Sequence, residues 1–248
     1  MQMSKTTYIV FVIVVTIMTL SVTVFRDGKG SATTQQNVRR TTIPIYERED
    51  RYQVVDFNEP EPTDPVKKAK LKKQQERYDK DAPFGHPGPK DIEVAIIPEM
   101  QFDFPALPVS KSDVIVIAEV VKAEPHHSEN RMSVFTNFEV RVDEIFKGSN
   151  LSAGRIINLQ RIGGFVKYPD GRKVLFRLAG NGMPAVGGRY AFFLNSVDED
   201  YVIITGYELG PEGVMPLDNS RQFERYLGEN EDSFVKALRD AVSRSFPQ

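Results

Sequence analysis

Two stretches decide the fold, residues 114–121 (VIVIAEVV) and, a short distance later, residues 133–146 (SVFTNFEVRVDEIF). The first is apolar at almost every position, which is typical of a strand near the middle of a sheet. The second alternates apolar and polar residues, as a half-buried strand does. Its alternation shifts phase near the end, which indicates a bulge or a bend in the strand. Together the two stretches predict a β domain.

More short runs of β-branched and aromatic residues follow, separated by turn residues rather than by helical patterns. The hairpin turn at Pro169, Asp170 and Gly171 is one example, because its glycine supplies a positive φ. Sequential hairpins favour an antiparallel sandwich or small barrel, predicted here for residues 109–217, over a parallel α/β fold. The runs lie at residues 155–161, 164–168, 172–178, 190–194 and 201–205.

The order of these strands resembles the netrin-module and tissue-inhibitor-of-metalloproteinase type of OB-fold barrel, a form shared by many uncharacterised extracytoplasmic domains of bacteria. The resemblance implies a small antiparallel OB-like barrel and covers less than half of the chain. It rests on SDVIVIAEV (112–120), FTNFEVRVDEIFKG (135–148), GRIINLQRIGG (154–164), GGRYAFFL (187–194) and YVIITG (201–206).

The best-known activity of that family does not transfer to this chain. Those inhibitors reach a protease zinc through an N-terminal cysteine held by disulfides, and this sequence of 248 residues contains no cysteine. The same absence excludes disulfide scaffolds, thiolate metal sites and cysteine nucleophiles. Nucleic acid is also disfavoured as a ligand, because residues 91–248 carry a net charge of −6.

Residues 218–248 are predicted to be helical and packed on the barrel. Asn219 or Ser220 can cap a first segment that ends at Gly228, and Asn230 can cap a second. An amphipathic helix lying on a membrane surface is the alternative. The apolar positions are Phe223, Tyr226 and Leu227 in the first segment, and Phe234, Val235, Leu238, Ala241 and Val242 in the second.

After a short tail, residues 1–7, the uncharged residues 8–25 are predicted to form a transmembrane helix. Such a helix spans roughly 27 Å, about the thickness of the bilayer hydrocarbon core. The run is longer than the apolar part of a secretory signal and lacks a good cleavage site, so an uncleaved signal anchor in the cell membrane is favoured over secretion after cleavage. The bulk of the chain is expected to be extracytoplasmic.

Residues 26–108 are predicted to be a disordered linker, because ten of the 16 prolines fall there and apolar periodicity is short. Within it, residues 66–80 (VKKAKLKKQQERYDK) favour a short basic helix. Contact with anionic lipid headgroups or an anionic wall polymer is one interpretation of this helix, and a solvated helix without a partner is the other.

The candidates for chemistry are few. His126 and His127 are expected in a loop with Glu129, but adjacent side chains of an extended chain point to opposite sides. The acidic residues 198–200 suit a polar hairpin turn, and Asp143 with Glu144 suits a solvent face or a Lys147 partner. Because motifs such as G-x-S-x-G, S-x-x-K and H-E-x-x-H are absent, no catalytic, cofactor-binding or metal site is assigned and no cofactor is expected.

The sequence therefore favours a non-enzymatic, membrane-tethered extracytoplasmic binding or scaffold module. Its partners are expected to be the lipid bilayer, through residues 8–25, and a further protein or envelope component acting on the barrel. The alternative function is a metal-dependent or hydrolytic enzyme that uses His126 and His127.

Overall fold

The computed structural model describes residues 53–80, 94–97, 104–178 and 180–245, which form a mainly β structure with an α-helix at its C-terminal end. The elements in chain order are β1 (Val54–Asp56), α1 (Pro65–Lys80), β2 (Val94–Ile97), β3 (Val114–His127), β4 (Val134–Lys147), β5 (Ile156–Ile162), β6 (Gly164–Lys167), β7 (Lys173–Leu178), β8 (Arg189–Val197), β9 (Asp200–Gly210), β10 (Gly213–Pro216) and α2 (Glu231–Ser245).

The antiparallel hairpin of β3 and β4 contains the two stretches that predicted the fold. The register shifts where Ile115 and Val116 pair with Lys147 and Ile145, which leaves Phe146 as an extra residue in β4. A second shift leaves Asp143 as an extra residue. The predicted irregularity near the end of this strand is therefore confirmed, and extra residues of this kind bend a strand and increase its twist.

Five strands close on themselves into one ring, in the order β3, β4, β5, β9 and β8. Neighbours are antiparallel except for β5 and β9, which pair in parallel at Leu159 with Tyr201 and Gln160 with Val202. Strand β10 extends the sheet beyond β9. Closure matters because each ring strand has a partner on both sides.

A smaller sheet has the order β1, β6, β7, β2, with the hairpin of β6 and β7 in its centre. Gly163 and Gly164 lead from β5 into β6 with φ of 111° and 154°. A Cβ on Gly164 would lie 2.8 Å from the Thr136 hydroxyl oxygen, so a larger residue would not fit at this bend. Strands β1 and β2 flank the hairpin, and both pair in parallel with it.

The linker prediction is therefore wrong for Val54–Asp56 and Val94–Ile97, which form strands, whereas the short basic helix predicted at residues 66–80 is confirmed by Pro65–Lys80. The strands β1 and β2 contain only 3 and 4 residues, too few for a periodic pattern to be visible in the sequence. Their pairing partners also lie far along the chain. Apart from residues 53–80, 94–97 and 104–108, the predicted linker lies outside the described residues.

The apolar run of β3 is buried on both of its faces. Val116 and Ala118 point into the ring with Phe138, Leu159 and Phe192, so this cluster contains residues of neighbouring ring strands. The intervening residues of β3 point outward into a second cluster, formed with α2 and with a 3₁₀ turn at Arg221–Tyr226. Burial on two sides explains why the run lacks alternation.

Helix α2 covers the second cluster. Asn230 caps it as predicted, since its side-chain oxygen accepts the Ser233 backbone N–H at 2.8 Å. Phe234 and Leu238 are fully buried. The C-terminal helix predicted on the ring is confirmed, whereas the first predicted segment is a 3₁₀ turn rather than an α-helix.

The remaining helix, α1, begins at Pro65 after Asp64, whose carboxylate accepts the backbone N–H groups of Val66 and Lys67 at 2.8 and 3.3 Å. An aspartate cap followed by proline at the first helical position is a strong start signal. Within the described part of the chain, neither helix has the length and apolar character needed to cross a bilayer. The transmembrane helix predicted for residues 8–25 lies outside those residues.

Candidate functional site

The two histidines lie in β3 and not in the loop that the sequence suggested. His126 pairs with Phe135 of β4, and its ring centroid lies 5.6 Å from that phenyl ring. His127 instead meets Phe57 edge-on at 5.5 Å. Glu129 is exposed in the turn that follows.

Both imidazoles pack against aromatic rings, with charged side chains near them. Burial lowers the pKa of His126, and burial together with the Arg131 guanidinium lowers the pKa of His127 to about 4. Both rings are therefore neutral at pH 7. Among residues 53–80, 94–97, 104–178 and 180–245, no three His, Asp or Glu side chains are grouped so as to hold a metal ion.

The carboxylates of Asp143 and Glu144 are bound by arginines. Arg189 Nε lies 2.8 Å from Asp143 Oδ2, and an Arg239 Nη lies 2.7 Å from Glu144 Oε1. Lys147 donates to the backbone carbonyl oxygens of Val109 and Ser112. These pairs join β4 to β8 and α2, so their role is in the fold.

The acidic turn between β8 and β9 has a larger role than that of a polar hairpin turn. Asp198 Oδ1 lies 3.2 Å from Lys73 Nζ, and Asp198 Oδ2 lies 2.8 Å from an Nη of Arg77. Lys73 and Arg77 both belong to α1, and they lower the pKa of the Asp198 carboxyl. The turn is thus one attachment point of the basic helix.

Asp200, two residues further on, attaches the middle of the helix and is buried. Gln74 Nε2 donates to Asp200 Oδ2 at 2.7 Å, and Lys70 Nζ lies 2.9 Å from Asp200 Oδ1. The residues of α1 that meet the acidic turn are therefore spaced by three or four positions, which places them on one face of the helix. Sequence reasoning missed this turn as a binding element because its helical partner is 126 residues away.

A chain of side-chain amides continues the contact across the outer surface of β4 and β5. Asn137 of β4 donates to Gln74 Oε1 at 3.0 Å, and Gln160 of β5 donates to Asn137 Oδ1, also at 3.0 Å. Arg77 Nη1 donates to Gln160 Oε1 at 2.5 Å. Gln160 is 0% and Gln74 4% exposed, so these polar groups are satisfied by one another within a closed network.

An aromatic contact lies beside the amide network. The ring of Tyr78, on α1, stacks on the ring of Phe135, on β4, with centroids 4.5 Å apart and planes 13° apart. Both side chains are buried. With Leu71 half-buried, Tyr78 supplies most of the apolar surface that this helix contributes.

The far end of α1 reaches the loop between β3 and β4. Gln75 Nε2 donates to the His127 carbonyl oxygen at 3.0 Å, and the Asn130 backbone N–H donates to Asp79 Oδ1 at 3.1 Å. We define the helix-covered face as Phe135, Asn137 and Gln160 together with the flanking loop 128–133 and turn 198–200. Helix α1 is therefore packed on the ring through one face and is not solvated all round.

A second buried polar contact lies elsewhere, between Arg161 of β5 and Asp218, which are 2% and 5% exposed. Asp218 Oδ1 also accepts the Gly182 backbone N–H at 3.0 Å. A Cβ on Gly182 would lie 2.0 Å from the Leu217 carbonyl oxygen, so the chain is held tightly there. This contact joins β5 to the loops that follow β7 and β10 and belongs to the framework.

Comparison with known proteins adds no family to this description: a scan against protein-family models and a search of curated proteins each found no match. The function is therefore argued from the helix-covered face itself.

Proposed function

We propose that this protein is a membrane-tethered extracytoplasmic binding or scaffold module that acts through an OB-like, netrin-like barrel. The closed ring of five strands supports the OB-like part, because the OB fold is a five-stranded Greek-key barrel. The strand motifs that resemble netrin modules fall on β3, β4, β5, β8 and β9, which are the five ring strands. The apolar residues 8–25 support the tether.

The observation that carries the proposal is the location of the helix-covered face. OB folds bind ligands on the face of their second and third strands and through the loops between strands one and two and strands four and five. The ring strands in chain order are β3, β4, β5, β8 and β9, so the second and third strands are β4 and β5. The corresponding loops are loop 128–133 and the turn between β8 and β9. The buried polar network around Gln160 and Asp200 lies on that same surface.

The charge of the face supports a protein or envelope partner over nucleic acid. Asp198 and Asp200 stand at one edge of the strand surface beneath α1, where they would repel the phosphates of a nucleic acid bound directly to the strands. Nucleic-acid-binding OB folds instead combine a positive groove with stacked aromatic side chains.

Site-specific photocrosslinking in native membranes tests the binding role. A photoreactive amino acid at Met132, in loop 128–133, or at Glu199, in the acidic turn, should give a discrete adduct, because both side chains are exposed at the margins of the face. Leu227, which is also exposed but follows the 3₁₀ turn under α2, is the matched control. Recovery of the bait alone from all three positions, or equal adducts at Leu227, would contradict a binding function at this face.

The membrane topology has its own test. A reporter enzyme fused after residue 248 should be active only on the extracytoplasmic side. Activity of the reporter in the cytoplasm alone would contradict the proposed orientation, whatever the crosslinking shows.

A further inference from the structure

Helix α1 shows what kind of segment the helix-covered face accepts. Residues 65–80 carry seven basic and two acidic side chains, and the helix places Lys70, Lys73 and Arg77 against the acidic turn. Gln74 and Tyr78, one helical turn apart, enter the amide network and the aromatic contact. The face therefore contacts a fixed pattern of side chains. A cation (Lys70) is followed after four residues by a glutamine (Gln74), and the glutamine is followed after three residues by a second cation (Arg77) and after four by an aromatic residue (Tyr78).

The attachment of α1 is of a kind that can be exchanged. The side chains of Lys73 and Asp198 are 62% and 42% exposed, so their ion pair contributes little to stability. Lys70 is 43% exposed, although its partner Asp200 is 5% exposed. Apart from Tyr78 and Leu71, the helix buries little apolar surface, so it is held mainly by hydrogen bonds that a similar segment would reproduce.

We propose that the helix-covered face recognises a lysine- and arginine-rich helical segment of another protein, and that α1 is the intramolecular competitor which that segment displaces. The inference rests on the proposed binding function and specifies its partner. An exchange between two segments of like chemistry keeps Gln160 and Asp200 paired in both states, which avoids leaving buried polar groups unsatisfied.

The same basic helix also suits a surface of anionic lipid, but the geometry favours a protein partner. The cations of α1 nearest the ring are engaged by Asp198 and Asp200, and its aromatic residue is stacked on Phe135. An anionic lipid surface offers a basic helix neither the side-chain amides of Asn137 and Gln160 nor the aromatic ring of Phe135.

The test measures binding of a fluorescent peptide, residues 64–80 of this sequence, to the full chain by fluorescence anisotropy. Arg77→Ala in the chain weakens the attachment of α1 to the helix-covered face, while the peptide keeps its own arginine. The peptide should therefore bind the Arg77→Ala chain about tenfold more tightly than it binds the wild-type chain. Lys72→Ala is the matched control, because it removes one charge from an exposed position of the same helix. The control should bind the peptide as the wild type does.

A second change checks where the peptide binds. Adding Asp198→Asn to Arg77→Ala should remove part of the gain, since the peptide then loses its ion pairs with Asp198. Its contacts with Gln160, Asp200 and Phe135 remain. Asp198 is exposed, so the doubly changed chain should remain folded by circular dichroism. A scrambled peptide of the same composition should bind weakly to every variant.

Equal binding to the Arg77→Ala and Lys72→Ala chains, or equal binding of the scrambled peptide, would overturn the inference. So would a gain of Arg77→Ala binding to phosphatidylglycerol vesicles without a gain for the peptide. Adducts at Met132 or Glu199 with a negative peptide result would leave the binding function standing and remove only its partner class. Peptide binding without any adduct would contradict the proposed binding function and, with it, the inference that rests on it.

Discussion

Gln160 shows how one residue sets the position of α1. Leu159, its neighbour on β5, points into the ring, so Gln160 points outward at a position where an apolar side chain would suffice for helix packing. An amide there accepts from Arg77 and orients Asn137, which donates to Gln74, and both contacts with the helix are lost if it slides by one residue. The residue therefore favours one register of the helix over others.

His127 makes stability depend on pH in a direction that follows from its pKa. Burial lowers that pKa from 6.5 to about 4 in the folded protein, whereas the unfolded chain keeps the ordinary value. Between these two pKa values the unfolded state binds more protons than the folded state. The contribution of His127 to the free energy of unfolding is therefore fully present above pH 6.5 and declines as the pH falls towards 4. His126, whose pKa burial also lowers, acts in the same direction.

Thermal unfolding at several pH values between 7.5 and 4 should therefore show a falling midpoint for the wild type and a shallower fall for His127→Phe. Phenylalanine retains an aromatic contact with Phe57 and cannot take up a proton. Parallel pH profiles for the two proteins would show that His127 titrates normally in the folded state.

At the scale of elements, the two helices have comparable caps but different roles, and this difference can be measured. Asp64→Ala and Asn230→Ala should each cost about 1 kcal/mol of helix stability. Helix α2 holds Phe234 and Leu238 in the core, so Asn230→Ala should lower the free energy of unfolding of the whole domain by that amount. Asp64→Ala should instead increase amide hydrogen exchange in residues 65–80, with little change in the global transition.

Hydrogen exchange followed by mass spectrometry distinguishes the two cases. If Asp64→Ala lowered the global unfolding transition as much as Asn230→Ala does, α1 would be an integral part of the domain. The exchange proposed for the helix-covered face would then require the domain to unfold.

The strands of the ring could be predicted from sequence because burial leaves a pattern along the chain. A run such as residues 114–121 is apolar when both faces of its strand are covered, and residues 133–146 alternate because β4 has one face in the ring. The capped, amphipathic α2 was predictable for the same reason. In each case the pattern of burial is local.

The helix-covered face left no such pattern. Gln74, Asn137 and Gln160 are polar residues that a sequence pattern assigns to a solvated surface, and only their mutual hydrogen bonds make burial favourable. Those partners lie tens of residues apart, and α1 buries too little apolar surface to show an apolar face. The cations of the helix are visible in the sequence, but the acidic residues 198–200 that bind them fit an ordinary polar hairpin turn.

On the scale of the whole molecule, the described segments before residue 104 contribute no strand to the ring: α1 lies on it, and β1 and β2 belong to the smaller sheet. The ring, the 3₁₀ turn and α2 are complete within residues 104–245. A chain beginning at residue 104 should therefore fold but be less stable than one beginning at residue 53. Without β1 and β2 it exposes both edges of the β6 and β7 hairpin, so it should also self-associate.

Circular dichroism, thermal unfolding and size-exclusion chromatography of the two shortened chains test this expectation. Both should show β structure and a cooperative transition, with the shorter chain melting first. A disordered shorter chain would mean that β1, α1 and β2 are needed to form the ring itself.

The distance of 126 residues between Gln74 and Asp200 also has a consequence during synthesis. The ribosome adds about 5–20 residues per second, so α1 is complete roughly 6 to 25 s before the turn that receives it exists. Throughout that interval the helix is a cationic segment on a nascent chain, with its glutamine, arginine and tyrosine unoccupied by the ring. Each newly made molecule thus exposes α1 to other macromolecules once, before the helix-covered face has formed and can bind it.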